Sequence, residues 1–144
     1  MEIADILAAK GRGVHSVRPS STVAEVVDRL GELGVGALLV GDEQVPVRGI
    51  VSERDVVRGL REHGAALLGM PVTAVFTSQV RTCTPRESVA LVMARMTAGR
   101  FRHMPVLEGR ALVGMVSIGD LVKHRVREME METGVLRDVV IARH

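Results

Sequence analysis

The sequence predicts a mixed α+β chain of two pseudo-symmetric units, each a small β-sheet packed with two helices, and three observations carry that reading. The first is size: 144 residues, 47% hydrophobic and 25% charged, suffice for one compact domain or for two half-size lobes sharing a core. The second is repetition. A shift of 66 residues lays Pro19, Val23, Ala24, Val26, Arg29 and Val40 on Pro85, Val89, Ala90, Val92, Arg95 and Val106. Dropping one residue in the connecting turn makes the shift 65, and Gly49, Val51, Ser52, Asp55 and Val57 then fall on Gly114, Val116, Ser117, Asp120 and Val122. The third is that each copy changes its hydrophobic period in the same order, helical, then extended, then helical again.

Each element follows from that order. Val23, Val26, Val27 and Leu30 stand at i, i+3, i+4 and i+7, as do Val89, Val92, Met93 and Met96, so each copy opens with a helix carrying one apolar face. Thr22 with Glu25 forms a cap for the first. Two short apolar runs follow, Ala37 to Val40 and Val47 to Val51 in one copy, Met104 to Leu107 and Ala111 to Val116 in the other, separated by polar or Gly-bearing turns in a hairpin pattern. A second helix starts after Ser52 and after Ser117. Short extended lead-ins, His15 to Arg18 and Val80 to Cys83, precede each unit. A unit of about 50 residues has too little core to stand alone, so the two are expected to pack their sheets together about a pseudo-twofold axis. The expected organisation is a first repeat over residues 5–62, a linker over 63–78, a second repeat over 79–125 and a helical tail over 126–144. Within the linker, Pro71 begins a short helix through Phe76 that mirrors Ile3 to Ala9, after a Gly-rich turn around Gly64 and Gly69. The tail is amphipathic from Leu121 to Ile141, with an interruption near Gly134.

Composition excludes several function classes. No apolar run approaches the roughly 20 residues of a membrane span, and the opening MEIADILAAK is too charged for a secretory signal, so a soluble, cytoplasmic chain without membrane partners is expected. Cys83 is the only cysteine, which rules out an intramolecular disulfide or a CxxC motif. The net charge is +2, with basic residues scattered, and the two Phe are the whole aromatic complement. Nucleic acid is therefore not an expected partner, and a bound base would lie between aliphatic walls. The five His form no ligand-spaced motif, and no nucleophile stands with a base, so neither a metal site nor catalysis is expected.

Two copies of a helix-strand-strand-helix unit ending in GIVSERD and GMVSIGD, with RHMPV in the second, resemble a tandem pair of cystathionine-β-synthase (CBS) domains, a Bateman module. The resemblance runs from about Asp5 to Lys123. It implies a non-catalytic regulatory module whose inter-repeat cleft binds AMP, ADP, ATP, NAD or S-adenosylmethionine, and which signals through lobe or dimer rearrangement. Stand-alone members are usually homodimers, and an unidentified effector protein would receive the signal. No catalytic cofactor is implied; an adenine nucleotide is the regulatory ligand.

The residues that would carry binding can be read chemically. Ser52 with Asp55, and Ser117 with Asp120, each begin a helix directly after a strand; a carboxylate there can accept from both hydroxyls of a ribose, while the helix start and the hydroxyl favour phosphate. S-x-x-D at a helix start is equally a cap that satisfies orphan amides with no ligand, and one residue can serve both roles. The resemblance assigns phosphate to the two basic residues before Met104-Pro105-Val106, namely Arg102 and His103, where the first copy has only Gly36 and Ala37; Arg54 adds a cation to the first site, so the two sites are expected to be unequal. The adenine is expected where Val17 and Pro19 face Ile50, or Cys83 and Pro85 face Met115, positions that plain core packing would also explain. The rival reading is a protein- or nucleic-acid-interaction scaffold whose clefts stay empty.

Overall fold

The computed structural model describes residues 1–142, and the last two residues of the tail lie outside the described residues. Helix α1 (Ile3–Lys10) is followed by β1 (Ser16–Val17), α2 (Val23–Leu33), β2 (Ala37–Val40), β3 (Gly49–Ser52) and α3 (Glu53–His63). After two 3₁₀ segments, Gly64–Gly69 and Val72–Ala74, the second copy runs α4 (Val89–Gly99), β4 (His103–Glu108), β5 (Ala111–Ser117) and α5 (Ile118–Ala142).

The two apolar-faced helices begin and end by the same devices. Thr22 accepts from the Glu25 N–H at 3.2 Å and Ser88 from the Leu91 N–H at 3.1 Å, so each copy satisfies an orphan donor of its first turn. Each ends in a left-handed residue. In the first copy that is Gly34, at φ 63°, and in the second it is Arg100, at φ 56°. An L side chain tolerates this conformation poorly, at a penalty of roughly 1–2 kcal/mol.

Strands β2 and β3 form an antiparallel hairpin that sets Ala37 opposite Ser52 and Leu39 opposite Ile50, and β1 adds to β2 in parallel. The second hairpin sets His103 opposite Ser117 and Pro105 opposite Met115, with an irregularity between Val106 and Leu107. Cys83 bridges Val106 in parallel, where β1 lies in the first copy. The predicted strand from Val47 starts two residues late. Asp42 accepts from the Gln44 and Val45 N–H groups, and this turn keeps the preceding chain out of the ladder.

Each copy has its own apolar cluster, and each is completed from outside its own strands and helices. Val17, Val23, Val26, Leu38, Val40, Val51 and Val56 pack with Leu67, Val72 and Val75 of the linker. Cys83, Val89, Val92, Met96, Met104, Val106, Val116 and Leu121 pack with Ile3, Ile6 and Leu7 of α1, so the first helix of the chain is built into the core of its second half. The contact is close: a Cβ on Gly114 of β5 would lie 2.7 Å from Leu7 Cδ2. The opposite faces of the hairpins, carrying Leu39 and Pro105, are buried too, so both sheets are covered on both sides.

Two predicted features need correction. The linker helix from Pro71 to Phe76 is only a three-residue 3₁₀ turn, because Val72, Thr73 and Val75 are β-branched and Val72 and Val75 are drawn into the core. The break near Gly134 does not occur. Helix α5 runs through it, since one glycine costs a helix only about 1 kcal/mol relative to alanine. Among the described residues, no helix is long and apolar enough to cross a membrane.

Candidate functional site

The chain turns from β3 directly into α3 at Ser52, whose extended backbone makes it the N-cap. Its hydroxyl accepts from the Asp55 N–H at 3.3 Å, and the Asp55 carboxylate reaches back to accept from the Ser52 N–H at 2.9 Å. Asp55 is therefore held by its own helix start before any ligand arrives. It also accepts from Arg58 at 2.7 Å and from the Thr77 hydroxyl at 3.4 Å, and only 5% of it is exposed.

This helix start borders a cleft of about 520 Å³ between the two copies, within the range of about 300–1,000 Å³ usual for small-molecule sites. Ile50, Ser52, Arg54 and Asp55 line it from the first copy and Arg102 and His103 from the second, so six of the thirteen residues singled out by sequence meet in one place. Glu53 and Arg58 add to the first wall, Thr77 comes from the end of the linker, Gln79, Val80 and Arg81 from the start of the second repeat, and Gly99, Arg100 and Phe101 complete the far side. The walls are bridged at two points: Arg54 donates to the Arg100 carbonyl at 3.2 Å, and the Arg81 guanidinium lies 5.9 Å from the centre of the Phe101 ring. Five arginines and two carboxylates line the cleft, an excess of positive charge that suits an anion.

His103 reaches the cleft beside Gly36, where a Cβ would come within 3.3 Å of its ring. Burial, and after it the positive charge of Lys10, hold its imidazole below the ordinary histidine value. The ring is thus neutral near pH 7, and a bound phosphate would draw a proton onto it.

The other seven candidates lie elsewhere. Ser117 and Asp120 repeat the capping geometry at the start of α5, with the Ser117 N–H donating to Asp120 at 2.9 Å and the Asp120 N–H to Ser117 at 3.2 Å. Asp120 pairs with Lys10 at 2.7 Å; burial raises its carboxyl, but the Lys10 ammonium and the Ser117 N–H outweigh that and hold it low. Met115 gives its carbonyl to the same ammonium at 2.9 Å. Val17 and Pro19 line a separate, more open groove of about 1140 Å³ with the loop after β2, and do not meet Ile50 around a common space. Cys83 is 2% exposed in the second core, where burial and then the charge of Glu87 push its thiol up to about 11. Pro85 gives its carbonyl to the Ala4 N–H at 2.8 Å, tying α1 in place.

Sequence reasoning misses Thr77, Gln79, Val80 and Arg81 as site residues; they reach the cleft because the chain crosses between the copies there. It misses Phe101 as well, so the cleft has one aromatic edge and is not walled by aliphatic residues alone. Arg58 carried a usable signal, standing one helical turn after Asp55 with the opposite charge. Among the described residues, no group of three or more His, Cys, Asp or Glu is placed to hold a metal ion.

Comparison with known proteins gives a consistent picture. The family model of the CBS domain matches residues 3–62 and 72–127. The chain is similar to the CBS domain-containing protein CBSX3, mitochondrial, of Arabidopsis thaliana, 33% identical over 138 residues that cover 90% of this chain and 67% of that protein. Among solved structures it resembles the CBS-domain containing protein ATU1752 from Agrobacterium tumefaciens, with a TM-score of 0.84 and 39% identity over 87% of this chain and 99% of that one. It also resembles the CBS domain protein PAE2072 from Pyrobaculum aerophilum, solved complexed with AMP, with a TM-score of 0.76 and 26% identity over 92% of this chain and 99% of that one.

Proposed function

The chain belongs to the CBS-domain family, carrying the repeat twice, and from that premise we propose that it is a non-catalytic regulatory module that binds an adenine nucleotide in the cleft between its repeats. The observation that carries this reading is the cleft itself, where a helix-starting carboxylate shares one cavity with arginines of both repeats. A nucleotide needs a diol acceptor and a phosphate cradle in one cavity, and Asp55 with Arg54, Arg102 and His103 supplies both chemistries. The AMP bound by the Pyrobaculum aerophilum relative supports the same assignment. AMP, ADP, ATP and NAD all bring the negative charge that this cleft balances. S-adenosylmethionine, whose sulfonium is positive, suits it poorly.

Signalling follows from the bridge between the walls. A phosphate competing for Arg54 releases its bond to the Arg100 carbonyl, so ligand-bound and ligand-free lobes prefer different angles. The output passes through a homodimer to an effector protein in the cytoplasm. Helix α5 supports that assembly by exposing Val122, Val126 and Met129 at i, i+4 and i+7.

The test is a thermal-shift series with AMP, ADP, ATP, NAD and S-adenosylmethionine on the purified chain. A ligand at about 100 times its Kd adds roughly 2.7 kcal/mol to the native state, which for a domain of this size is a rise of several degrees. A flat response to all five leaves the clefts empty and returns the chain to the scaffold reading.

A further inference from the structure

Thr77 closes the linker onto β3 in the first cleft: its N–H donates to the Ile50 carbonyl at 2.9 Å and its hydroxyl to Asp55 at 3.4 Å. The repeat lays Thr77 on Gly11, which has no side chain to do this. Its neighbour Lys10 makes both bonds with one group, Nζ donating to the Met115 carbonyl at 2.9 Å and to Asp120 Oδ2 at 2.7 Å. Met115 and Asp120 are the repeat equivalents of Ile50 and Asp55.

The exchange changes the chemistry of the cleft. A hydroxyl at 3.4 Å is a weak partner, whereas an ammonium on a carboxylate at 2.7 Å is a charge-assisted bond. Arg58 also pairs with Asp55, but it starts three residues along the same helix, on the cleft's own rim, and is 55% exposed, so it can turn toward a bound phosphate. Lys10 is delivered by a different element, α1, whose Ile3, Ile6 and Leu7 are fixed in the second core, and it is tied at two points. Neither cavity described above takes in Ser117 or Asp120. Where the first cleft has Arg54, Arg102 and His103, the second has Gly119, Gly36 and Ala37.

We propose that Lys10 is an internal occupant of the second cleft: its ammonium takes the carboxylate that would otherwise receive a ribose, so the chain binds one nucleotide and binds it in the first cleft. The inference rests on the nucleotide reading of that first cleft. It assigns to α1 the setting of stoichiometry.

Calorimetric titration of the full chain with AMP tests it. The wild type takes one equivalent. Lys10→Met, which keeps the aliphatic stem and removes the charge, takes a second and weaker one, and Asp120→Ala in the Lys10→Met background returns the count to one. Two equivalents in the wild type, or a single one in Lys10→Met, overturn the inference and leave the first-cleft reading standing. No binding by the wild type overturns the first-cleft reading itself. A measurement independent of ligand accompanies the titration. Lys10 donates to Asp120 Oδ2 at 2.7 Å and helps hold that carboxyl low, so the Asp120 carboxyl titrates at higher pH by NMR in Lys10→Met, and an unmoved carboxyl would separate Lys10 from Asp120 and overturn the inference as well.

Discussion

Arg100→Gly separates stability from binding more cleanly than any substitution of the acidic residues. Arg100 caps α4 in the left-handed conformation, where the first copy uses Gly34. Relief of an L residue from that conformation is worth roughly 1–2 kcal/mol, against which glycine loses about 0.5–1 kcal/mol in extra unfolded-chain freedom. The net gain lies between about zero and about 1.5 kcal/mol, or up to roughly 5 °C for a chain of this length. The bond from Arg54 survives, because it ends on the Arg100 backbone carbonyl. The guanidinium does not. Its exposed position limits the loss to roughly 0.2–1 kcal/mol, which is about a 1.5- to fivefold rise in the Kd for ATP. Urea unfolding and calorimetric titration measure the two quantities on one sample. A variant that is less stable than wild type, or that binds ATP as tightly, refutes the claim that this cap carries strain for the sake of its charge.

The remaining predictions concern protons, thiols and one close contact. The folded His103 binds its proton only below the ordinary imidazole value of about 6.5, so just below that pH the unfolded chain holds more protons and stability falls with pH; denaturant titrations from pH 7.5 to 5.5 should show a shallower decline in His103→Gln. Nucleotide binding is expected to take up a proton at that ring, measured as a binding heat that varies with buffer ionisation enthalpy in the wild type and not in His103→Gln. With its thiol at about 11, Cys83 should react with a thiol reagent at pH 8 at least about a hundredfold more slowly in the native chain than in urea, and equal rates would deny its burial. Gly49→Ala would drive a Cβ into the Phe76 ring and to 2.7 Å from the Thr77 carbonyl, destabilising by about 1–3 kcal/mol and loosening the linker wall of the cleft; an unchanged melting temperature contradicts that packing.

The repeat, the two apolar-faced helices and both hairpins are legible in the sequence because each is a local pattern: Val23, Val26 and Leu30 are buried at the positions their spacing indicates, while Val27 of the same predicted face is exposed, and the polar turn at Glu108 and Gly109 separates paired strands. Ser52 and Asp55 are legible for the same reason, since their spacing is dictated by one helix start. The residues of the crossing between copies are not. Thr77 and Arg81 reach the cleft through the path of the chain between copies, and nothing in their type distinguishes them from solvated neighbours. Lys10 is illegible in a further sense, because its partner Asp120 lies at the other end of the chain. The adenine-wall candidates divide by a depth that periodicity cannot resolve: Ile50, on the first hairpin, borders the cleft while Cys83, on the second lead-in, is sealed in the core.

The placement of α1 has a consequence for how the protein is made. Its apolar face is completed by strands and helices that leave the ribosome later, so Ile3, Ile6 and Leu7 wait, uncovered, until residues 83–121 have been made. The first cluster draws on residues 17–76 and can close while the second copy is still being translated. Fragments cut between the copies would not be two small proteins: the downstream piece would lack a wall of its interior, and the upstream piece would carry that wall as a sticky, orphaned helix.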